Sequence, residues 1–370
     1  MLLKYKKNIA IGIWIIINSL FVFKYSYRLS PCIAIVTTLI YNGVLYCCLG
    51  FCYKRMTLFS DKVWYLFLLG VTAFSALIFQ IIPVETIKVD RWEMIQIFWD
   101  AVHAGVYPYA VHSPAGNYPG PMPVYFLIAY PFYLLQEIGW LGVIAVWLTF
   151  LFIKKQHLEQ KQQTFMFLFI MLSVTIYYEI VTRSTILLNS MVFIFYYVGL
   201  KNLHKYSTLK FYGYALLGGI IFSTRNVFAI PMVLWGVSVL LSQRIKFMKL
   251  LKWCICFCSS FFATFIPFLI SYSSQFWQYN PFITQGSALL PFSYILLFVM
   301  LAFLLPLLCK KEVDVFFLSV ILFFAVVTTH VIYSICNVGI NAFLFSGADI
   351  SYYIFCIPFI LELLTRKEND

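Results

Sequence analysis

The sequence predicts an all-α fold, a polytopic helical bundle that crosses a lipid bilayer about twelve times, and three observations carry that expectation. Of its 370 residues, 62% are hydrophobic and only 11% charged, against about a quarter charged in an ordinary soluble domain. A water-soluble chain of this size would lack the polar surface to cover itself. Apolar runs of about 17 to 25 residues, bounded by Lys or Arg, recur from Lys7 to Thr365, the length that crosses about 30 Å of hydrocarbon at 1.5 Å per residue. The basic residues, finally, concentrate in every second connector.

Taken in order, the spans are expected at 8–27, 31–51, 63–83, 138–153, 163–179, 184–200, 211–225, 227–242, 253–272, 288–309, 315–335 and 349–364. The first, with its apolar centre from Ile9 to Phe23, ends without a small-residue cleavage site and passes into further apolar sequence, so it reads as a retained helix rather than a signal peptide. Ser30 and Pro31 turn the chain into the second span, and Tyr53 to Asp61 returns on the starting side. Between Pro121 and Ile153 two apolar stretches are separated by Gln136, Glu137 and Gly139. If both crossed, Lys154, Lys155 and the following basic connectors would change sides. Residues 121–137 are therefore expected to form a short interfacial or re-entrant helix, centred on Met122 to Leu135, with the second stretch as the crossing.

Of the 26 Lys and Arg, only Lys24, Arg28, Lys88, Arg91, Arg183 and Arg225 fall on the far side of this arrangement. The positive-inside rule then makes both termini cytoplasmic, in a single transmembrane domain over 1–370, and a cell inner membrane suits the chain. Topology thus explains the net charge of +12, and no nucleic acid is expected as a partner. The ten Cys lie mostly inside apolar runs, as at Cys47, Cys48 and Cys52 and at Cys254, Cys256 and Cys258. They are expected to be small buried hydrophobes, because their spacing is not that of a zinc site.

The connector over 84–120 is long, expected outside, and too rich in Trp, Tyr and Ile to be disordered. Asp90, Glu93, Ile97 and Asp100 follow at helical spacings, laying three carboxylates along one face, while Trp92, Ile95, Phe98, Trp99 and Val102 occupy the rest. This is the pattern of a helix at the membrane surface with an acidic strip facing water. Gly105 ends it, and Val106 to Tyr109 followed by Pro114, Pro119, Pro121 and Pro123 impose an extended path. A carboxylate just beyond the third span can take a proton from a hydroxyl; the same acids read equally as the solvated face of a surface helix, or as a substrate or ion contact.

The order Asp90, Gly105, Pro108, Tyr109, then Asn117-Tyr-Pro-Gly-Pro-Met-Pro123, resembles the polytopic GT-C glycosyltransferases, and among them the bacterial alpha-mannosyltransferase-like group that uses polyprenyl-phosphate sugars. Asn189, preceded by Thr182-Arg-Ser-Thr185, and the basic residue of Ser223-Thr-Arg-Asn226 extend the likeness. The chain departs from the family where Gly120 separates Pro119 from Pro121. The resemblance implies a GT-C-like bundle with Asp90 as the general base.

Around Asp90, the expected supporting residues are Glu93, Asp100 and His103, and the expected substrate loop holds Tyr109, His112, Asn117 and Tyr118. Solvated loop histidine is the alternative for His112. Arg225 and Arg183, near the membrane boundary, can each grip a donor phosphate bidentately; the alternative is snorkelling to headgroups or pairing with Glu179 or Asp349. Asn189, His330, Asn337 and Asp349 are candidates for lining a cavity, or equally for fixing helix packing. His103, one turn after Asp100, is too isolated to suggest a metal, so no cofactor is expected, although a divalent cation stays open.

The function so implied is an inverting glycosyltransferase at the external face. It would move a hexose, such as mannose, from a polyprenyl-phosphate donor to a lipid-linked glycan, glycolipid or surface polymer, among membrane lipids. There is no P-loop or GxGxxG in a strand-helix context. Two other classes remain: an O-antigen-type polysaccharide polymerase or ligase, which a long late loop would favour, and a non-catalytic transporter or flippase of lipid-linked saccharides, which inverted repeats and half-helix breaks near the bilayer centre would favour.

Overall fold

A computed structural model describes residues 2–54, 61–87, 89–282, 284, 290–308, 314–345 and 349–366. Arg55, Lys88, Lys310, Lys311 and Lys367, which enter the expected charge asymmetry, lie outside the described residues, as do residues 288, 289 and 309 of the tenth expected span. The described chain is helical, without a β-strand.

Its helices are α1 (Leu2–Tyr27), α2 (Pro31–Lys54), α3 (Asp61–Ile81), α4 (Arg91–His103), α5 (Pro123–Leu134), α6 (Gly139–Lys155), α7 (Gln160–Met171), α8 (Val174–Val181) and α9 (Ile186–Gly199). They continue as α10 (Thr208–Phe222), α11 (Ala229–Leu241), α12 (Phe247–Ala263), α13 (Ile266–Ser271), α14 (Ser273–Gln278), α15 (Phe292–Leu308), α16 (Val315–Val338), α17 (Ile340–Phe345) and α18 (Cys356–Thr365).

Every expected span contains helix, but breaks shorten several of them. Five helices are long and apolar enough to cross a membrane, or up to seven if the broken pairs α5/α6 and α7/α8 each count as one span. Thr208–Phe222, Asn226–Leu241, Phe292–Leu307 and Ser351–Thr365 are apolar but shorter. The breaks have local causes. Pro267 lacks the N–H that would continue α12, so the ninth expected span divides at Thr264 and Phe265 into α12 and α13. The last expected span opens as a 3₁₀ turn, Ser351–Phe355, before α18.

The helices gather into two compact units. The first comprises Met1–Val89, Gly139–Leu188 and Phe323–Asp370. At its centre is α18, all of whose residues are buried, including Glu362, whose carboxylate meets Arg366 Nε at 3.4 Å, as a buried charge requires. The long helix α1 packs on α2, α8 and α18. Trp14 stacks on Phe169 at 4.4 Å and donates from Nε1 to Ser173 Oγ at 2.7 Å. Asn18 Oδ1 accepts the Thr175 backbone N–H at 3.3 Å, so polar groups at membrane depth find partners within the bundle. By contrast little of α2 is buried, and Leu39, Ile40, Leu66 and Leu69 on α2 and α3 point outward. Such faces suit lipid rather than water.

The second unit comprises Asp90–Ile138 and Asn189–Leu322. Helix α10 lies close along α12 through Gly218 and Gly219: a Cβ at Gly219 would overlap the Phe257 carbonyl and the Ser260 hydroxyl, and one at Gly218 the Tyr196 hydroxyl. Small residues at a helix contact are how membrane bundles gain close packing without a hydrophobic driving force. Helix α11 packs on α15. Helix α4 packs on α5, with Phe98 and Phe126 stacked parallel at 3.6 Å.

The expected burial of the cysteines is corrected. Among those described only Cys356 is buried, while Cys32, Cys47, Cys254, Cys258 and Cys336 are exposed on helix faces. A thiol is a small, weakly polar group, as well accommodated by acyl chains as by a protein core.

Candidate functional site

Helix α4 starts at Arg91 and puts Asp90 at its N-cap, with φ −84° and ψ 19°. Asp is among the residues best suited to cap with its side chain, a contact worth about 1 kcal/mol, yet Asp90 makes no such bond. Its Oδ2 instead accepts hydrogen bonds from Asn117 Nδ2 at 2.7 Å and Ser113 Oγ at 3.0 Å. Oδ1 accepts none among the described residues. The carboxylate is therefore oriented by one oxygen and open at the other.

The two donors come from a tight turn. Gly116 N–H donates to the Ser113 carbonyl at 2.8 Å, and Ser113 N–H to the Asn117 carbonyl at 2.9 Å. Pro114 supplies the fixed φ of an early turn position. Gly116 sits at φ +81°, and a Cβ there would meet nothing within 4 Å, so glycine is needed for its conformation rather than for space. Ser113 is buried and Asn117 exposed, which anchors one side of the turn and leaves the other to solvent.

Upstream of this turn the loop enters the core. Tyr109 is buried edge-on to Phe98 at 5.2 Å and to Phe268 at 5.5 Å. Tyr107 is buried and donates to the Tyr279 carbonyl at 3.2 Å. Burial raises both phenols above their ordinary range, so they stay protonated. Tyr109, expected as a substrate-loop residue, thus packs inside. His112 and Tyr118 are exposed, edge-on to each other at 6.1 Å.

Downstream, Pro119 to Met122 lead into α5, whose first residue is Pro123, a position where its missing N–H costs nothing. The next N–H, of Val124, donates to the Ser223 carbonyl at 3.0 Å, which draws the segment after α10 alongside the start of α5. Arg225 follows in extended conformation, its guanidinium 4.9 Å from the centre of the Tyr125 ring, a cation–π contact. Arg225 is half-buried, and its Nε has no hydrogen-bond partner among the described residues. Asp90 and Arg225 therefore adjoin the two ends of one segment, 113–125, within one unit.

Of the supporting residues, Glu93 is half-buried and Asp100 and His103 are exposed. Tyr133 donates to Asp100 Oδ1 at 2.6 Å and lies 3.5 Å from His103 Nδ1. Asn189 is buried, with no partner for its Nδ2 among the described residues. Among the described residues no three His, Cys, Asp or Glu gather as a metal-binding group.

The other candidates belong to the first unit. Arg183, at φ +51°, is buried and donates to the carbonyls of Val181 at 3.0 Å and Ile82 at 2.8 Å, with its guanidinium over the Phe79 ring. This is a cation set at the carboxyl end of α3, where the last carbonyls lack helical partners. Arg183→Ala is expected to lower stability by about 2 kcal/mol, because it strands buried acceptors of a charged donor. Thermal unfolding of the detergent-solubilised protein reads this out, and an unchanged midpoint would remove the structural assignment. His330 is half-buried and Asn337 exposed, both on α16, and Asp349 Oδ1 accepts the Ser351 N–H at 2.8 Å.

Sequence reasoning missed Ser113 and Tyr125, which position Asp90 and Arg225. Ser-Pro-Ala-Gly-Asn over 113–117 does spell a turn that brings its first and last side chains together, so Ser113 was legible; the Tyr125 contact spans the chain and was not. No family model, characterised protein or solved structure matches this chain. Its functional reading rests on the site.

Proposed function

We propose that this chain is an inverting glycosyltransferase of the cell inner membrane, GT-C-like in arrangement. Its shorter and broken apolar helices also traverse the bilayer, to a total of about twelve crossings, with both termini cytoplasmic and Asp90 outside. The observation that carries the reading is the Asp90 carboxylate, held by Asn117 and Ser113 through one oxygen at the foot of an external loop. A carboxylate used only to start a helix would cap it; this one is held away from the helix with an oxygen to spare.

In the reaction, an acceptor hydroxyl oxygen attacks the anomeric carbon of a polyprenyl-phosphate sugar from the face opposite the phosphate. Its proton passes to Asp90, and the bond from the anomeric carbon to the phosphate oxygen breaks with its electron pair on the leaving lipid phosphate. Arg225, steadied on Tyr125, offers a permanent positive charge to that phosphate as charge builds on it. The buried Arg183 is already committed to carbonyls and has no part in this step. The products are an inverted glycoside and polyprenyl phosphate.

The experiment is transfer of labelled sugar from a panel of polyprenyl-phosphate sugars, in membranes holding native chain, Arg225→Lys or Arg225→Ala at matched expression. Native transfer is expected from at least one donor, with Arg225→Ala reduced about 100-fold and Arg225→Lys retaining part of the activity, since the charge persists without the fork. Full activity of Arg225→Ala would remove the phosphate role. Failure of every donor, with acceptor-bearing membranes supplied, would overturn the transferase reading in favour of a polymerase, ligase or lipid-saccharide transporter.

A further inference from the structure

The far end of α4 carries a second cluster that the chemistry at Asp90 leaves unused. Tyr133, buried on α5, donates to Asp100 Oδ1 at 2.6 Å, while Asp100 itself is exposed and its Oδ2 accepts no bond among the described residues. A buried phenol thus fixes the carboxylate and leaves its second oxygen to solvent. His103 is exposed, with Nε2 3.4 Å from the Tyr130 hydroxyl and Nδ1 3.5 Å from the Tyr133 hydroxyl. These contacts lie at the outer limit of hydrogen bonding, so the imidazole is available to a better partner.

Beside these groups stand aromatic rings that are both half-exposed and fixed. Trp99 lies 4.2 Å from Tyr130 between ring centres, and its Nε1 donates to the Phe126 carbonyl at 3.1 Å. Tyr130 and Tyr133 are nearly parallel, 17° apart in plane. A rigid ring with an apolar face, edged by a carboxylate and an imidazole, is complementary to a pyranose: the ring covers its C–H face and the polar groups take its hydroxyls.

The cluster also connects with Asp90. Glu93, Gln96, Asp100 and His103 follow at spacings that keep them on one face of α4; the last three are exposed and Glu93 is half-buried. From Asp90 to Asp100 this polar track runs about 15 Å along the helix, room for more than one sugar residue.

We propose that Trp99, Tyr130, Asp100 and His103 form a saccharide subsite, which holds residues of the acceptor remote from the reacting hydroxyl. The acceptor is then an oligosaccharide rather than a single sugar or a bare lipid. The word acceptor rests on the transferase reading; the saccharide site stands without it.

The test is ligand-observed saturation-transfer NMR on the full chain in lipid nanodiscs, with mannotriose, maltotriose and chitotriose as probes and native, Trp99→Ala and Asp100→Asn proteins. Asp100→Asn keeps an oxygen for Tyr133 and lies at an exposed position, so it guards against a Trp99→Ala variant that fails to fold. At least one trisaccharide is expected to bind the native chain, with affinity down about tenfold in each variant, the effect of losing one anchoring contact. In transfer assays both variants should raise the KM for an oligosaccharide acceptor and leave kcat near native.

Native protein that binds none of the three probes, or variants that bind as well as native, would overturn the subsite. Variants with unchanged acceptor KM would do so too, with the transferase reading intact. Trisaccharide binding that the variants lose, in a chain that transfers sugar from no donor, would uphold the saccharide site and overturn the transferase reading.

Discussion

Asp90→Asn is expected to lower sugar transfer at least about 100-fold, the typical contribution of a positioned general base, without loss of folded protein. The substitution is close to isosteric, and its amide oxygen can accept the same two bonds that Ser113 Oγ and Asn117 Nδ2 now make to Oδ2. The amide nitrogen then stands where Oδ1 stood, and a donor replaces the proton acceptor. Local geometry is kept and basicity is lost, so the thermal midpoint should remain near native while kcat falls. Asn117→Ala provides a graded companion: it leaves the base and removes one of its two supports, and should cost less than Asp90→Asn. Should Asp90→Asn transfer sugar at the native rate, the proton goes elsewhere and the mechanism is wrong, whatever the donor panel shows.

The largest effect on the fold is expected at Gly219. A Cβ there overlaps a backbone carbonyl and the Ser260 side chain of α12, and a backbone cannot move aside as a flexible side chain can. Gly219→Val must part α10 from α12 along their contact, an overpacking that costs about 3 kcal/mol or more and is expected to abolish monodisperse protein in detergent. Gly213, on the exposed side of the same helix, supplies the control: nothing lies within 4 Å of its would-be Cβ. Gly213→Ala should be neutral or raise stability by up to about 1 kcal/mol through helix propensity. Size-exclusion profiles and thermal midpoints of the two variants make the comparison. Equal behaviour would refute the close approach of α10 and α12.

How much of this was legible in the chain differs between fold and site. Run length and composition mark the helices one segment at a time, and the polar break at Gln136 to Gly139 set α5 apart from α6 as two helices. The carboxylate face of α4 was legible for the same reason, since helical periodicity is a local property, although Gln96 rather than Ile97 is its exposed member. Breaks within the apolar runs, such as the one after Phe169 to Met171, were not, because mean hydropathy does not register where a backbone turns.

The site was legible as a list of residues but not as an arrangement. Asp90 stood out by the helical spacing of its carboxylate face and the Gly, Pro and Tyr pattern that follows it, and Arg225 because charge near a membrane boundary is costly and rarely idle. Arg183 drew notice on the same grounds, yet it lies buried against the carbonyls of Val181 and Ile82. Nothing in the residue types separates the two arginines. Each guanidinium lies against an aromatic ring, Phe79 for Arg183 and Tyr125 for Arg225; the difference is that the fold buries Arg183 on helix-end carbonyls and leaves Arg225 half-buried.

The sequence by itself determined an all-helical chain suited to a membrane, the places of its apolar helices and the acidic surface helix between the third and the later spans. Each of these follows from interactions within about twenty residues. The tertiary structure alone decided that Asp90 turns from its helix to Ser113 and Asn117, that Tyr109 packs inside, that most described cysteines face outward, and that Tyr133 braces Asp100. Those outcomes depend on contacts between segments distant in the chain, where packing selects among partners that local sequence leaves equivalent.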